Sequence, residues 1–292
     1  MQGTPSLTAT ARGGNTKVAV ASGKGGTGKT LVATNLAAVT EGAALVDLDV
    51  EEPNCYIFAR AGGEQAEQVF RRVPRVDARK CTLCGNCRKV CEFHAIAVLP
   101  KEVMVFDELC HGCGACSLLC PEGAITEVDH LLGEVLRTQG GALDLTYGRL
   151  RVGEAAATPL IRRVKEAAPE REAVVMDCPP GTACTAVASI KGADACVLVT
   201  EPTPFGMHDL RLALEVTRKL KVPAAVFINK DGLPGPDVDG FCRAHRVPVV
   251  GRLPLDRGIA EAYSRGGLIA GDPRFRDVFA GLRDWAFKGA RR

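Results

Sequence analysis

No stretch of this sequence approaches the roughly 18 consecutive apolar residues that a membrane-spanning helix needs, so no span is expected in it. An excess of one charge is equally lacking: 37 basic against 34 acidic residues leave a formal net charge of +3. The basic residues are scattered, so no polyanion-binding face is announced and nucleic acid is not an expected partner. The first sixteen residues, MQGTPSLTATARGGNT, lack the apolar core of a secretory signal and read as a flexible tail, residues 1–16. The expected location is the cytoplasm. What is plentiful is cysteine. There are thirteen, and clustered thiols in a chain without export signals point to metal ligation rather than disulfides. With 292 residues and 46% hydrophobic side chains, the chain can bury a substantial core and has the length for about two domains.

Short β-branched apolar runs alternate with longer amphipathic stretches, the pattern of a doubly wound, mostly parallel α/β sheet. KVAVAS, AALVDLD, EAVVMD, ACVLVT, AAVFIN and VPVVGRL read as buried strands. KTLVATNLAAVT, TPLIRRVKEAA, MHDLRLALEVTRKL and GIAEAYSRG have helical spacing. Residues 76–128 break the rhythm with cysteines, glycines and short strands such as VMVF, and read as an inserted second domain. Residues 17–75 and 129–292 then form one discontinuous domain. The insert repeats itself: a shift of 29 residues superposes four cysteines and carries Ala95-Ile96 onto Ala124-Ile125.

Each half of the repeat has the spacing Cys-x2-Cys-x2-Cys-x3-Cys, in CTLCGNCRKVC and CHGCGACSLLC. Three closely spaced thiolates of such a run wrap one cubane and the fourth reaches the other, so two [4Fe-4S] clusters are expected. Cys81, Cys84, Cys87 and Cys120 would hold the first; Cys91, Cys110, Cys113 and Cys116 would hold the second. Gly85, Gly112 and Gly114 supply loop freedom for backbone amides to approach sulfur. Zinc would favour separated Cys-x2-Cys pairs over four-cysteine runs. Pro121 follows the last ligand as in bacterial ferredoxins, whereas Glu92 takes that place in the first run. His94 and His111 beside the ligands are expected to face solvent.

GKGGTGKT, Gly23 to Thr30, follows a strand and precedes a helix, as a phosphate loop requires. Gly23, Gly25, Gly26, Thr27 and Gly28 would turn backbone N–H groups towards phosphate oxygens at the positive end of the helix. Lys29 is expected to neutralise the β- and γ-phosphates and Thr30 to ligate Mg²⁺. Asp47 and Asp49 sit at a strand's carboxyl end, where carboxylates reach such a site. Asp177 closes a buried apolar strand in the manner of a Walker B carboxylate.

The second lysine, Lys24, directly after the first glycine, is the distinguishing residue. With it, residues 17–270 resemble the MinD/ParA/Mrp group of ATPases, whose deviant loop reads KGGTGKT or KGGVGKT; DLDVEEPN, DCPPGTAC, TEPTPFGMHDL and INK are similar to the branch with an inserted bacterial-ferredoxin-like domain of small α+β type. The resemblance implies that Lys24 crosses a homodimer interface to the partner's nucleotide, that Asp49 orients the attacking water in the first switch, and that Asp47 lies nearer to Mg²⁺ with Asp177. It also implies that Pro179, Pro180 and Gly181 form the second switch and that Asn229 recognises adenine. Cys178 and Cys184 flank the second switch, where a ligand at a dimer interface is the alternative, but like Cys55, Cys196 and Cys242 they are expected to be small buried hydrophobes. The C-terminal stretch RFRDVFAGLRDWAF is expected to pack on the sheet rather than on a membrane.

The expected activity is that of a dimeric Mg-ATPase whose nucleotide state controls electron transfer through two clusters to a redox or iron-sulfur partner protein. An iron-sulfur carrier of the Mrp type is the alternative, and a positioning ATPase like MinD or ParA stands third.

Overall fold

A computed structural model describes residues 15–60, 62–139 and 141–289. The expected tail therefore lies almost wholly outside the described residues; its last residue, Thr16, opens the first strand.

Nine strands form the main sheet. β1 (Thr16–Ala21), β2 (Ala44–Asp47), β8 (Ala173–Asp177), β9 (Ala195–Thr200), β10 (Ala224–Asp231) and β11 (Val249–Pro254) are the six apolar runs seen in the sequence. Three more strands, β3 (Gly63–Val76), β6 (Ile125–Gln139) and β7 (Asp144–Leu150), complete the order β11-β10-β9-β1-β8-β2-β7-β6-β3. The seven strands from β11 to β7 are parallel, and β6 and β3 close that edge antiparallel. Strands buried on both faces need helices on both, and the helices supply them.

On one face α1 (Lys29–Ala38), α9 (Arg257–Ser264) and α10 (Pro273–Asp284) bury Leu36, Ile259, Phe275 and Phe279 against Val18, Val20, Leu45 and Phe227. On the other, α5 (Thr158–Ala167), α6 (Cys184–Ile190), α7 (Pro204–Lys219) and α8 (Val238–His245) bury Leu160, Ile190, Leu214 and Val238 against Val46, Met176 and Leu198. The C-terminal helix thus spends its apolar face on the sheet, as expected. No helix among the described residues is long and apolar enough to cross a membrane. A single helical turn, α2 (Tyr56–Ala59), follows the loop after β2.

The cysteine-rich segment sits at the far end of the β3–β6 ribbon, whose pairing runs from Gly63↔Gln139 to Val76↔Ile125. The expected domain limits at 75/76 and 128/129 therefore fall inside continuous strands. Beyond them the chain forms α3 (Asn86–Lys89), β4 (Ile96–Val98), β5 (Val103–Val105) and α4 (Ala115–Leu118), with β4 and β5 antiparallel.

The 29-residue repeat is conformational as well as chemical. Gly85 and Gly114 precede α3 and α4 with φ of 79° and 74°. Leu83 and Gly112 share φ of 57° and 65°, and His94 and Gly123 share 51° and 55°.

Candidate functional site

Two adjacent strand ends bring two acidic side chains together. β2 and β8 lie in a register that sets Asp47 beside Asp177, and both carboxyl groups are buried. Thr30, in the first turn of α1, donates from Oγ1 to Asp177 Oδ2 at 2.6 Å. Asp47 is an anchor. Its Oδ1 accepts from Asp49 N, and its Oδ2 from Asn54 N and Cys55 N, each at 3.0 Å. Three backbone donors thereby tie the loop after β2 to the end of that strand.

Cys55 is buried as expected, yet its thiol also donates to Asp177 Oδ2 at 3.5 Å. One ligand atom each from Asp47, Cys55 and Asp177 lie within 4.8 Å of one another, and Asp177 Oδ1 has no partner among the described residues. Burial, then the charge of Asp47, raises Asp177 to a pKa of about 7. Burial also raises Asp47, and burial with the Asp47 charge brings Asp49 to about 6. Adjacent buried carboxyls with an orphan oxygen form a donor set that fits a cation. Hydroxyl and carboxylate oxygens suit Mg²⁺.

The phosphate loop wraps the start of α1, where Lys29 and Thr27 are buried. Gly28 has φ of 95°, and a Cβ there would come within 2.2 Å of Asn229 Nδ2, so the position admits only glycine. Asn229, at the end of β10, donates Nδ2 to Thr27 O at 2.8 Å. It therefore braces the loop, and it also lines a groove of ≈ 220 Å³ with Leu31, Leu255, Ile259 and Tyr263. That groove is the apolar slot beside the loop that a purine base would need.

Lys24 points elsewhere. Its ammonium is ion-paired with Glu201 of the same chain. Lys230 also binds this carboxylate, at 2.8 Å from Oε2, and donates to Gly26 O at 3.0 Å. Burial works to raise Glu201, but the hydrogen bonds and charges of the two lysines outweigh it and hold the carboxyl below its usual range. Neither Glu201 nor Lys230 was singled out from the sequence, since their partners are 177 and 29 residues away.

Residues 49–52 of the first expected switch and Pro179 and Pro180 of the second line one cavity of ≈ 250 Å³ with Ala157. Cys178 is buried, but Cys184 is exposed. The expectation of a buried hydrophobe is corrected there: Cys184 opens α6, whose buried face consists of Ala186, Ser189 and Ile190.

At the other end of the β3–β6 ribbon the thiols gather in two sets of four. Cys81, Cys84, Cys87 and Cys120 line one cavity, and Cys91, Cys110, Cys113 and Cys116 line the other. Each run thus lends its fourth cysteine to the cavity of the other run. Ala95 N donates to Cys91 Sγ and Ala124 N to Cys120 Sγ, both at 3.3 Å, and Gly112 N donates to Cys110 Sγ at 3.4 Å. Amides aimed at sulfur are what cluster thiolates use. Among the described residues, no three thiols of either set lie within 4.8 Å of one another. Four sulfurs around one zinc at about 2.3 Å would stand roughly 3.8 Å apart. His111 stacks on Phe93 with ring centroids 3.6 Å apart, so it is packed rather than free in solvent.

Compared with known proteins, residues 18–269 match a family model described as the CobQ/CobB/MinD/ParA nucleotide binding domain. An uncharacterized protein of Methanocaldococcus jannaschii is 28% identical over 278 residues, 93% of this chain and 98% of that one. The polyferredoxin protein MvhB of Methanothermobacter thermautotrophicus is 36% identical over 65 residues, 22% of this chain and 16% of that one. Among solved structures, the septum site-determining protein MinD of Pyrococcus horikoshii in complex with Mg-ADP aligns with a TM-score of 0.58 at 17% identity, covering 94% of this chain and 96% of that one. At that identity the likeness is one of fold.

Proposed function

Because the chain belongs to the CobQ/CobB/MinD/ParA nucleotide-binding domain family, we propose that it is a Mg-ATP-hydrolysing protein, active as an ATP-dependent homodimer, whose nucleotide state is coupled to electron transfer through two [4Fe-4S] clusters to a partner protein. One observation carries this reading: two complete four-cysteine cavities hang on a ribbon that is continuous with the sheet whose strands end in Asp47 and Asp177, beside Lys29 and Thr30 of α1.

In this reading Lys29 and the loop amides from Gly23 to Thr30 hold the phosphates, and the groove beside Asn229 holds the base. Thr30 and Asp177 hold Mg²⁺, with Asp47 close by; the ion supplies charge neutralisation on the phosphate oxygens. Asp49 accepts a hydrogen bond from the attacking water and orients it. Lys24 leaves Glu201 when two copies meet and places its charge on the nucleotide of the partner subunit, where it opposes the negative charge that builds in the transition state. Cys81, Cys84, Cys87 and Cys120 hold one cluster and Cys91, Cys110, Cys113 and Cys116 the other, and the clusters supply one-electron chemistry. Eight ligands in two closed sets favour resident wiring over cargo.

The test is anaerobic purification followed by iron analysis and an ATPase assay. About eight irons per chain together with Mg-dependent hydrolysis are expected, as two cubanes require. Zinc in the cavities, or no hydrolysis, would sink the reading.

A further inference from the structure

The two cysteine cavities are equivalent by repeat but not by surroundings. Leu83 lines the first cavity, and its counterpart 29 residues on, Gly112, lines the second. A Cβ on Gly112 would stand 2.8 Å from Arg71 Cγ and 3.3 Å from Arg71 Cδ. The space where a second Leu83 would begin is therefore taken by the stem of Arg71. This arginine comes from β3, outside the repeat.

Its guanidinium is buried and faces the turn that delivers Cys110. Arg71 Nη2 donates to Asp107 O at 2.7 Å, the same carbonyl that accepts from Cys110 N at 3.0 Å. Nη2 also pairs with Glu154 Oε2 at 2.6 Å, with side-chain exposures of 3% and 1%. Glu154 in turn meets His130 Nε2 at 2.6 Å. Arg71 Nε and Nη1 are buried with no partner among the described protein groups. Buried N–H donors are almost always paired. Two such orphans on a cation beside a thiolate turn are the donors one would set next to cluster sulfur.

We propose that Arg71 is a potential-tuning residue for the cluster of Cys91, Cys110, Cys113 and Cys116, which makes that cluster the easier of the two to reduce. The inference rests on the cluster assignment above. One-electron reduction adds a negative charge to the cluster and its thiolates without proton uptake, and a fixed cation nearby favours the more negative state. Donation to sulfur acts in the same direction. Glu154 opposes it, but the guanidinium reaches the Asp107 carbonyl that also holds Cys110 N, and its stem fills the space beside Gly112. At the first cavity the matching place holds leucine. An electron entering at the first cluster would then rest at the second, nearer the ATPase sheet.

The experiment is an EPR-monitored titration of the anaerobic full-length protein with dithionite and mediators, in wild type and in Arg71→Met, Arg71→Lys and Glu154→Gln. Cys113→Ser identifies the signal of the second cluster. In Arg71→Met, at the wild-type midpoint of that cluster, the reduced-to-oxidised ratio should fall about tenfold, equivalent to 59 mV for a one-electron couple. The first cluster should not move. Arg71→Lys should restore most of the potential, and Glu154→Gln should shift it the opposite way, which a purely structural role would not do. Should Arg71→Met lose iron, the sign in Glu154→Gln decides. The inference is overturned by unchanged midpoints, by equal shifts of both clusters, by lysine behaving as methionine does, or by a Glu154→Gln midpoint that stays or falls. Wild-type protein without iron would instead sink the cluster assignment itself.

Discussion

Lys24 is ion-paired with Glu201 of its own chain, and Glu201 is held at the same time by Lys230. A lysine that acts on a partner's nucleotide must first be released from this carboxylate. Lys24→Ala should bind ATP but lose hydrolysis by at least about 10³-fold, the scale of an arginine finger. Lys29→Ala should weaken binding itself. Glu201→Gln should lower the ATP concentration at which dimers appear in sedimentation velocity, because the charge holding Lys24 in cis is gone. Normal hydrolysis by the Lys24 variant would refute a role in trans.

Cysteine crossing is testable by spectroscopy. Cys120→Ser should damage the cluster of Cys81, Cys84 and Cys87, while Cys91→Ser should damage that of Cys110, Cys113 and Cys116, since the cavities are lined in that way. EPR of each variant distinguishes the two signals. Damage that stays within the mutated run would overturn the pairing.

Leu83 and Gly112 occupy equivalent left-handed positions but should respond oppositely to substitution. Leu83→Gly relieves a non-glycine φ of 57° and should stabilise by up to about 1 kcal/mol, less what its lost packing costs. Gly112→Ala meets Arg71 Cγ at 2.8 Å as well as a φ of 65° and should destabilise by about 2 kcal/mol or more. Anaerobic thermal melts compare them. Similar melting temperatures for the two variants would count against the packing of Arg71 on Gly112.

The acidic pair predicts how Mg²⁺ and pH interact. Asp177 has a pKa of about 7 in the fold against an ordinary 3.8, so between these values the folded chain keeps a proton that the unfolded chain has lost. Stability of the metal-free protein should therefore fall as pH rises through that window. Added Mg²⁺ should raise the melting temperature more at pH 7.5 than at pH 5, and Asp177→Asn should abolish that difference. An equal Mg²⁺ effect at both pH values would contradict the placement of the ion.

Much of this was legible in the sequence because the relevant signals are local. Six of the seven parallel strands are apolar runs, and the spacing of eight of the thirteen cysteines announces two interleaved sets. The β3–β6 ribbon was not legible. GEQAEQVFRRVPRV places seven charged or amide side chains and a proline in a strand whose first half is largely exposed, so neither apolar continuity nor clean alternation marks it. Arg71 was hidden for a related reason. Among charged neighbours it reads as surface, and only the fold brings Glu154 to it across 83 residues. Glu201 was hidden likewise, its meaning depending on Lys24, which follows the neighbouring strand β1 but lies 177 residues away in sequence. Cys184 was misjudged because residue type speaks for burial only on average.

Whether the nucleotide site and the clusters form one machine is the central question. The structure offers a contact route: Ala157 lines the cavity shared by both expected switches, and Glu154 in the same loop holds Arg71 at the Cys110 turn. If ATP and ADP favour different conformations of that loop, linkage requires the cluster potential and nucleotide affinity to shift together. The direct measurement is an anaerobic titration of the midpoint potentials with no nucleotide, with Mg-ADP, and with Mg-ATP in Asp49→Ala, a variant expected to bind ATP and trap the dimer. A nucleotide-dependent shift is predicted for the cluster of Cys91, Cys110, Cys113 and Cys116, larger than for the other. Identical potentials in all three states, with equal ATPase rates for oxidised and reduced wild-type protein, would contradict the account and leave two independent functions on one chain.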